Sequence, residues 1–317
     1  MRVNRWLDES LPNYRMGHNL SMLRFLLIAS ALLASLPTFA WNAGGHRLSA
    51  AIAWQEMSLP TRAAVSALLA RHPAFPEWAA QSNGEDPAYI AFLEASTWPD
   101  DIRRDPRFVD NAQATPLVPL NGLTDTTRHR HWHYIDLDAR GIASGDGELD
   151  RRLAQLIELL SNPRATENDK AYALPWLIHL IGDIHQPLHV GSRHDEGGNR
   201  YVINDPFNPR LPESNLHRWW DDRPAPPWLR GKYIERAVAR LLARYPEATV
   251  QGNVALWKEE SWRLAHTRAY PDGPTISAEF RDAADSIAGR RIVEAGRRLG
   301  RLLEILFGAV PRETASE

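Results

Sequence analysis

HLIGDIHQPLH, residues 179 to 189, is the stretch on which the reading of this chain turns. On a helix, His179 and Asp183 project from one face, because residues four apart are neighbours along it. Pro187 has no N–H and clashes with the preceding turn, so the helix stops before it and His189 leaves in another direction. Two imidazoles and a carboxylate in so short a span form a donor set suited to zinc. The remaining donors must come from elsewhere in the chain.

A second pair with the same spacing, His217 and Asp221, lies in NLHRWWD, residues 215 to 221. RHRHWHYID, residues 128 to 136, alternates His129, His131 and His133. As an extended segment it would point all three one way. The cautious reading keeps one of them and leaves the others on a solvated basic surface, with the Trp132 to Asp136 end buried. Asp100, after Trp98-Pro99, reads by itself as a helix N-cap. His46 reads by itself as the start of a core helix, HRLSAAIAWQEM. One such histidine or aspartate is common. Two i, i+4 pairs with these additional donors point to a polynuclear hydrolase.

The 317 residues, 44% of them hydrophobic, suffice for one large domain. A formal charge of −2 gives no global basic field for non-specific nucleic-acid binding. It does not exclude an enzyme whose bound metals carry the local positive charge. The chain has no cysteine, which rules out disulfides, thiolate zinc sites and cysteine nucleophiles.

Residues 23 to 40, LRFLLIASALLASLPTFA, place Arg24 before an apolar run from Phe25 to Leu36 and end in Thr38-Phe39-Ala40. The run is too short to span a bilayer, and the small residues fit a signal-peptide cleavage site. Residues 1 to 40 are therefore read as a leader, its core about 22 to 40, with Met16 and Met22 as alternative starts. Cleavage before Trp41 yields an exported protein, periplasmic or extracellular, with no membrane anchor. The new α-amino group titrates near ~7.7–8.0, so its neutral form can join the Trp41 carbonyl in chelating a metal. Gly44 and Gly45 let that terminus approach His46.

Apolar spacing predicts helices over 46–57, 60–72, 88–95, 148–160, 166–183, 233–245, 250–268 and 276–306. Residues 106 to 127 read as a long surface loop, and alternating strands and internal repeats are not evident. The expectation is an all-α single domain over 41–310, with a frayed tail at 311–317.

Taken in order, Trp41 with His46, Thr97-Trp98-Pro99-Asp100, Trp132-His133-Tyr134-Ile135-Asp136, His179 through His189, and Asn215 through Asp221 resemble the signature set of the S1/P1 nuclease family. The resemblance implies a helical domain of the phospholipase C and P1 nuclease type, holding three zinc ions. It implies a secreted hydrolase of single-stranded DNA and RNA that leaves 5′-phosphates and has 3′-nucleotidase activity. One zinc would take Asp100, His133, His179 and Asp183. Asp183 would bridge to a second on His46 and the amino and carbonyl groups of Trp41. The third would take His189, His217 and Asp221. Metal-activated hydroxide would attack phosphorus in line, with Arg103 taking up charge on the phosphate oxygens. Tyr134 would stack a base and Asp136 accept from its edge, with Asn199 or Asn204 nearby. His185 matches the motif without a metal role, and His129 and His131 fall outside it. Zinc-dependent phospholipase C, sharing fold and metals, is the rival enzyme. A non-enzymatic zinc-binding protein is the rival of another class.

Overall fold

One helix without a polar face sits at the centre. In the computed structural model, which describes residues 41–116 and 122–308, this helix is α7, Glu167–Ile184, and every residue from Ala171 to Ile184 is buried. A helix that is apolar all round belongs in a core. It starts where expected: the Thr166 hydroxyl oxygen accepts from the Asp169 N–H at 3.1 Å, and Glu167 and Asp169 complement the helix dipole. Pro175 deprives the Ala171 carbonyl of its intrahelical bond, yet the helix continues because it is walled in by its neighbours.

Those neighbours are α1 (Ala43–Glu56), α2 (Leu59–Leu69), α4 (Pro87–Ala95), the short α5 (Trp98–Asp101), α6 (Leu149–Ser161), α10 (Val254–Thr267) and α11 (Ala278–Phe307), with α3 (Phe75–Ala79) packed on α4. The helix α8 (Leu216–Asp221) carries the second His/Asp pair, and α9 (Lys232–Arg244) packs on α1 and α11. α1 and α11 cross closely. A Cβ added at Gly296 would lie 2.6 Å from Ile52 Cβ, and one at Gly300 would lie 2.6 Å from Glu56 Cβ. Small residues there let the backbones approach, and any larger residue overpacks the crossing. Arg47 clamps Glu94 with two bonds of 2.9 Å, fixing α1 to α4 beside His46.

The architecture is all-α, as the sequence predicts, and helix ends move by only a few residues. Two local readings are corrected. Val202–Asn204 (β1) and Glu213–Asn215 (β2) pair antiparallel, Ile203 opposite Ser214; three-residue strands are too short to show alternation. The histidine run is also not extended. Arg130–His133 forms a 3-10 turn entered through His129 at φ 44°, so its histidines diverge. His129 is not on a solvated surface either: it stacks on Trp132 at 3.7 Å and bonds Asp125 at 2.7 Å. The predicted leader, the tail and residues 117–121 of the long loop lie outside the described residues. No helix among the described residues is long and apolar enough to cross a membrane.

Candidate metal centre

Three backbone carbonyls set the histidine tautomers. His179 Nδ1 donates to Ser96 O at 2.7 Å, His189 Nδ1 to His133 O at 2.5 Å, and His217 Nδ1 to Gly197 O at 2.8 Å. In a neutral ring, a proton on Nδ1 leaves a lone pair on Nε2. The Nε2 atoms of His189 and His217 nevertheless lie 3.1 Å apart, with Asp221 oxygens 3.9 and 3.7 Å away. Two facing lone pairs repel, and a cation between them removes the conflict. Burial keeps both rings neutral, lowering His189 and bringing His217 down to about 3.

The second arrangement centres on Asp183. Its Oδ2 lies 3.0 Å from His133 Nδ1 and 3.3 Å from His179 Nε2, while Oδ1 faces His46 Nε2 at 3.4 Å. The two oxygens thus address two different groups of donors. Asp100 Oδ1 completes one group, 3.9 Å from His133 Nδ1 and 3.8 Å from His179 Nε2. The His46 ring stacks on His179 at 3.9 Å. That stack explains Gly182 in the opening motif, because a Cβ there would come within 2.7 Å of His46 Nδ1. Burial, then the charge of His179, brings His46 down to about 4, and burial with Arg103 brings His133 to about 3. Burial alone would lower His179 too, but Asp183 and Asp100 outweigh it and raise it.

Among the described residues, three buried donor groups result: His46, His179 and Asp183; Asp100, His133 and His179; His189, His217 and Asp221. Both ring nitrogens of His46, Asp183 Oδ1 and Asp221 Oδ2 are buried without a hydrogen-bond partner. Leaving such atoms unmatched carries a desolvation penalty, so the donor set fits metal ions. Trp41 is wholly buried and folds over the start of α1, where a Cβ on Gly45 would meet Trp41 Cβ at 2.9 Å. Asn42 accepts from the Gly44 and Gly45 N–H groups and donates its own N–H to Asp221 O at 3.1 Å. The first residues of α1 are thereby tied to the third group.

Around these donors, Arg103 is buried with Nη2 3.1 Å from Asp100 Oδ1. Tyr134 donates to Asp146 at 2.8 Å. Asp136 adopts φ 59°, and burial, then Asp195, Glu196 and Asp146, push its carboxyl up to about 6. Asp136 Oδ1 and His217 Nδ1 both crowd the missing Cβ of Gly197, at 3.4 and 3.3 Å, so Asp136 borders the third group. Asn199 donates to Glu196 O at 2.7 Å within the same loop. Asn204 is different: it is exposed on β1, and its backbone bonds Pro274 and Ile276.

Sequence reasoning missed Gln186, whose Nε2 donates to Asp221 Oδ1 at 2.9 Å. It also missed the three carbonyls, which leave no side-chain signal. The one available clue was the Gln186-Pro187 step, where a polar residue stands between two candidate ligands.

The S1/P1 Nuclease family model matches residues 41–308, a span that contains all these groups. The chain belongs to the S1/P1 nuclease family. Endonuclease 4 of Arabidopsis thaliana is 31% identical over 163 residues, 45% of this chain and 53% of the relative. Endonuclease 3 of the same plant is 26% identical over 310 residues, 90% of this chain and 96% of its own. Nuclease S1 of Aspergillus oryzae is 26% identical over 175 residues, 47% and 58% of the two chains. The match thus spans a little over half of Endonuclease 4 and Nuclease S1, and nearly all of Endonuclease 3.

Proposed function

We propose that this S1/P1 nuclease-family protein is a zinc-dependent endonuclease that cleaves single-stranded DNA and RNA to 5′-phosphate products and acts as a 3′-nucleotidase. The carrying observation is the convergence of His and Asp donors into three buried groups within a chain of this family. Asp100, His133, His179 and Asp183 hold one zinc. Asp183, His46 and the terminal groups of a processed Trp41 hold a second, and His189, His217 and Asp221 hold a third. The protein is exported, and Trp41 becomes its terminus when the leader is removed. Bound there, the ions supply Lewis acidity, lowering the pKa of a water toward ~7 and offsetting charge on phosphate oxygens.

The chain's own residues orient the substrate. The Arg103 guanidinium, fixed against Asp100, faces charge that builds on the non-bridging phosphate oxygens. Tyr134 stacks a base while Asp136 accepts from its edge, with Asn199 on the adjoining loop. A base inside a duplex has both faces stacked and its Watson–Crick edge paired, which accounts for single-strand preference.

The test is zinc stoichiometry on N-terminally sequenced protein, with turnover of single-stranded DNA, 3′-nucleotides and phosphatidylcholine before and after chelation. Three zincs per chain and chelator-sensitive strand cleavage are expected. Lipid turnover without nucleotide product would favour the phospholipase reading. Fewer than two zincs would overturn the chemistry above.

A further inference from the structure

A buried charged network outside the donor groups holds the turn that joins them. Arg291 and Arg298 on α11 are 3% and 1% exposed. Arg298 Nη1 donates to His185 Nε2 at 2.8 Å, and His185 Nδ1 donates to Ile181 O at 2.7 Å. Arg291 donates to His185 O at 3.2 Å, Ser261 Oγ at 2.9 Å and Glu294 Oε2 at 2.6 Å. Both guanidiniums also bind Glu260 of α10, with their shortest bonds at 2.7 Å.

A helix ends with four carbonyls that have no partner inside it. At the end of α7 each one is matched. Ile181 O takes the His185 ring, Gly182 O the His185 N–H, Asp183 O the Gln186 N–H, and Ile184 O the Ser261 hydroxyl. His185 O, the next in line, takes Arg291. This turn carries Asp183 at its start, Gln186 on Asp221 in its middle and His189 at its end. Its path therefore sets the spacing between the Asp183 groups and the His189 group.

Burying two guanidiniums is weak evidence for stability, because desolvation offsets the attraction to Glu260 and Glu294. Geometry accounts for them better. We propose that Arg298 and Arg291 are positioning residues for the metal centre, locking the 181–189 turn through His185 so that Asp183 and His189 stay in register. The proposal rests on the metal-binding reading above.

The experiment compares Arg298→Met with wild type, Arg298→Lys and Leu303→Ala, a core deletion on the same helix outside the network. Zinc affinity of the apoprotein is read by chelator competition, and site geometry by the visible spectrum of cobalt-loaded protein. Arg298→Met is expected to bind metal up to about 10-fold more weakly, the low end of what loss of a direct partner of a ligand costs, because it acts through His185. It should also show an altered cobalt spectrum and a kcat that falls while KM changes little. Arg298→Lys should recover part of each loss, and Leu303→Ala should lose thermal stability with affinity and spectrum unchanged. Wild-type affinity and spectrum in Arg298→Met, or equal metal loss in Leu303→Ala, overturns the proposal. Should Arg298→Met not fold, Glu260→Gln replaces it, with a few-fold weakening expected and none overturning the proposal. Wild-type protein that takes up neither zinc nor cobalt refutes the metal reading itself, which an unaffected Arg298→Met beside a metal-binding wild type does not.

Discussion

Asp183 and Asp221 are both wholly buried carboxylates, each four residues after a histidine on a helix, and their surroundings differ. Burial alone would raise Asp183, but the charge of His179, with the His133 and His46 imidazoles close by, outweighs it and holds the carboxyl well below its ordinary range. At Asp221 burial wins and the carboxyl is pushed well above that range; Gln186 opposes this, while Asp222 adds to it. The Asp183 region balances its own charge, since His179 is raised where Asp183 is lowered. The Asp221 region has two neutral imidazoles, and among the described residues no arginine or lysine pairs with its carboxylate. One buried His/Asp spacing thus yields a self-compensated cluster in one place and an uncompensated one in the other. The number of donors sharing the carboxylate makes the difference.

The largest test of that contrast is Asp183→Asn against His217→Ala. Losing the shared carboxylate should remove two metals and lower kcat/KM by about 10³-fold or more, on the order of 4 kcal/mol of barrier. His217→Ala should remove one metal and cost about tenfold less than that. Equal residual rates and equal metal loss would erase the distinction. Chelation of the whole centre should come next: each site occupied at a hundred times its Kd contributes about 2.7 kcal/mol. At about 2–4 °C per kcal/mol for a chain of this size class, removal of all three ions, worth about 8 kcal/mol, should lower Tm by about 15–30 °C. An unchanged melting curve would say the donor groups are not occupied in the native protein.

Gln186→Leu sharpens the comparison further. It should weaken one metal, that of His189, His217 and Asp221, by about tenfold. Equal weakening of all three, followed by titrating chelator against each variant, would show that the two regions are one unit. The smallest effect concerns Asp136, whose carboxyl is pushed up to about 6. Below that pH it is protonated and can donate; above it, it is ionised and only accepts. KM for substrates whose base edge offers N–H donors should therefore fall a few-fold as pH rises through about 6. In Asp136→Asn the step should vanish, and a step that persists would assign it to another group.

Much of this was legible from residue order. The i, i+4 spacing of His179 with Asp183 and of His217 with Asp221 requires only helical geometry, and both segments are helical. Gly182 could not be understood that way, because its reason is the His46 ring from another helix. His131 is exposed, as read, but His129 misled for a related cause: alternation implies one face only on an extended chain, and His129 in the left-handed region breaks that premise. The β1–β2 pair is fixed by its partner strand and not by its own three residues. Arg298 reads in the sequence as one arginine among several on an amphipathic helix, and only folding brings it to His185.

The donor groups join segments that are distant along the chain: His46 to Asp183, Asp100 to His133 and His179, His189 to His217 and Asp221. Occupied by metal, each group is a cross-link, and this chain has no cysteine to make any other kind. A cross-link closing about 100 residues removes roughly 4–5 kcal/mol of chain entropy from the unfolded state in the loop-closure model. The durability of such a metal-loaded protein is indifferent to thiol reductants and answers to metal supply instead. A medium that strips disulfide-bonded proteins would leave it folded, and one rich in competing chelators would release all its staples together.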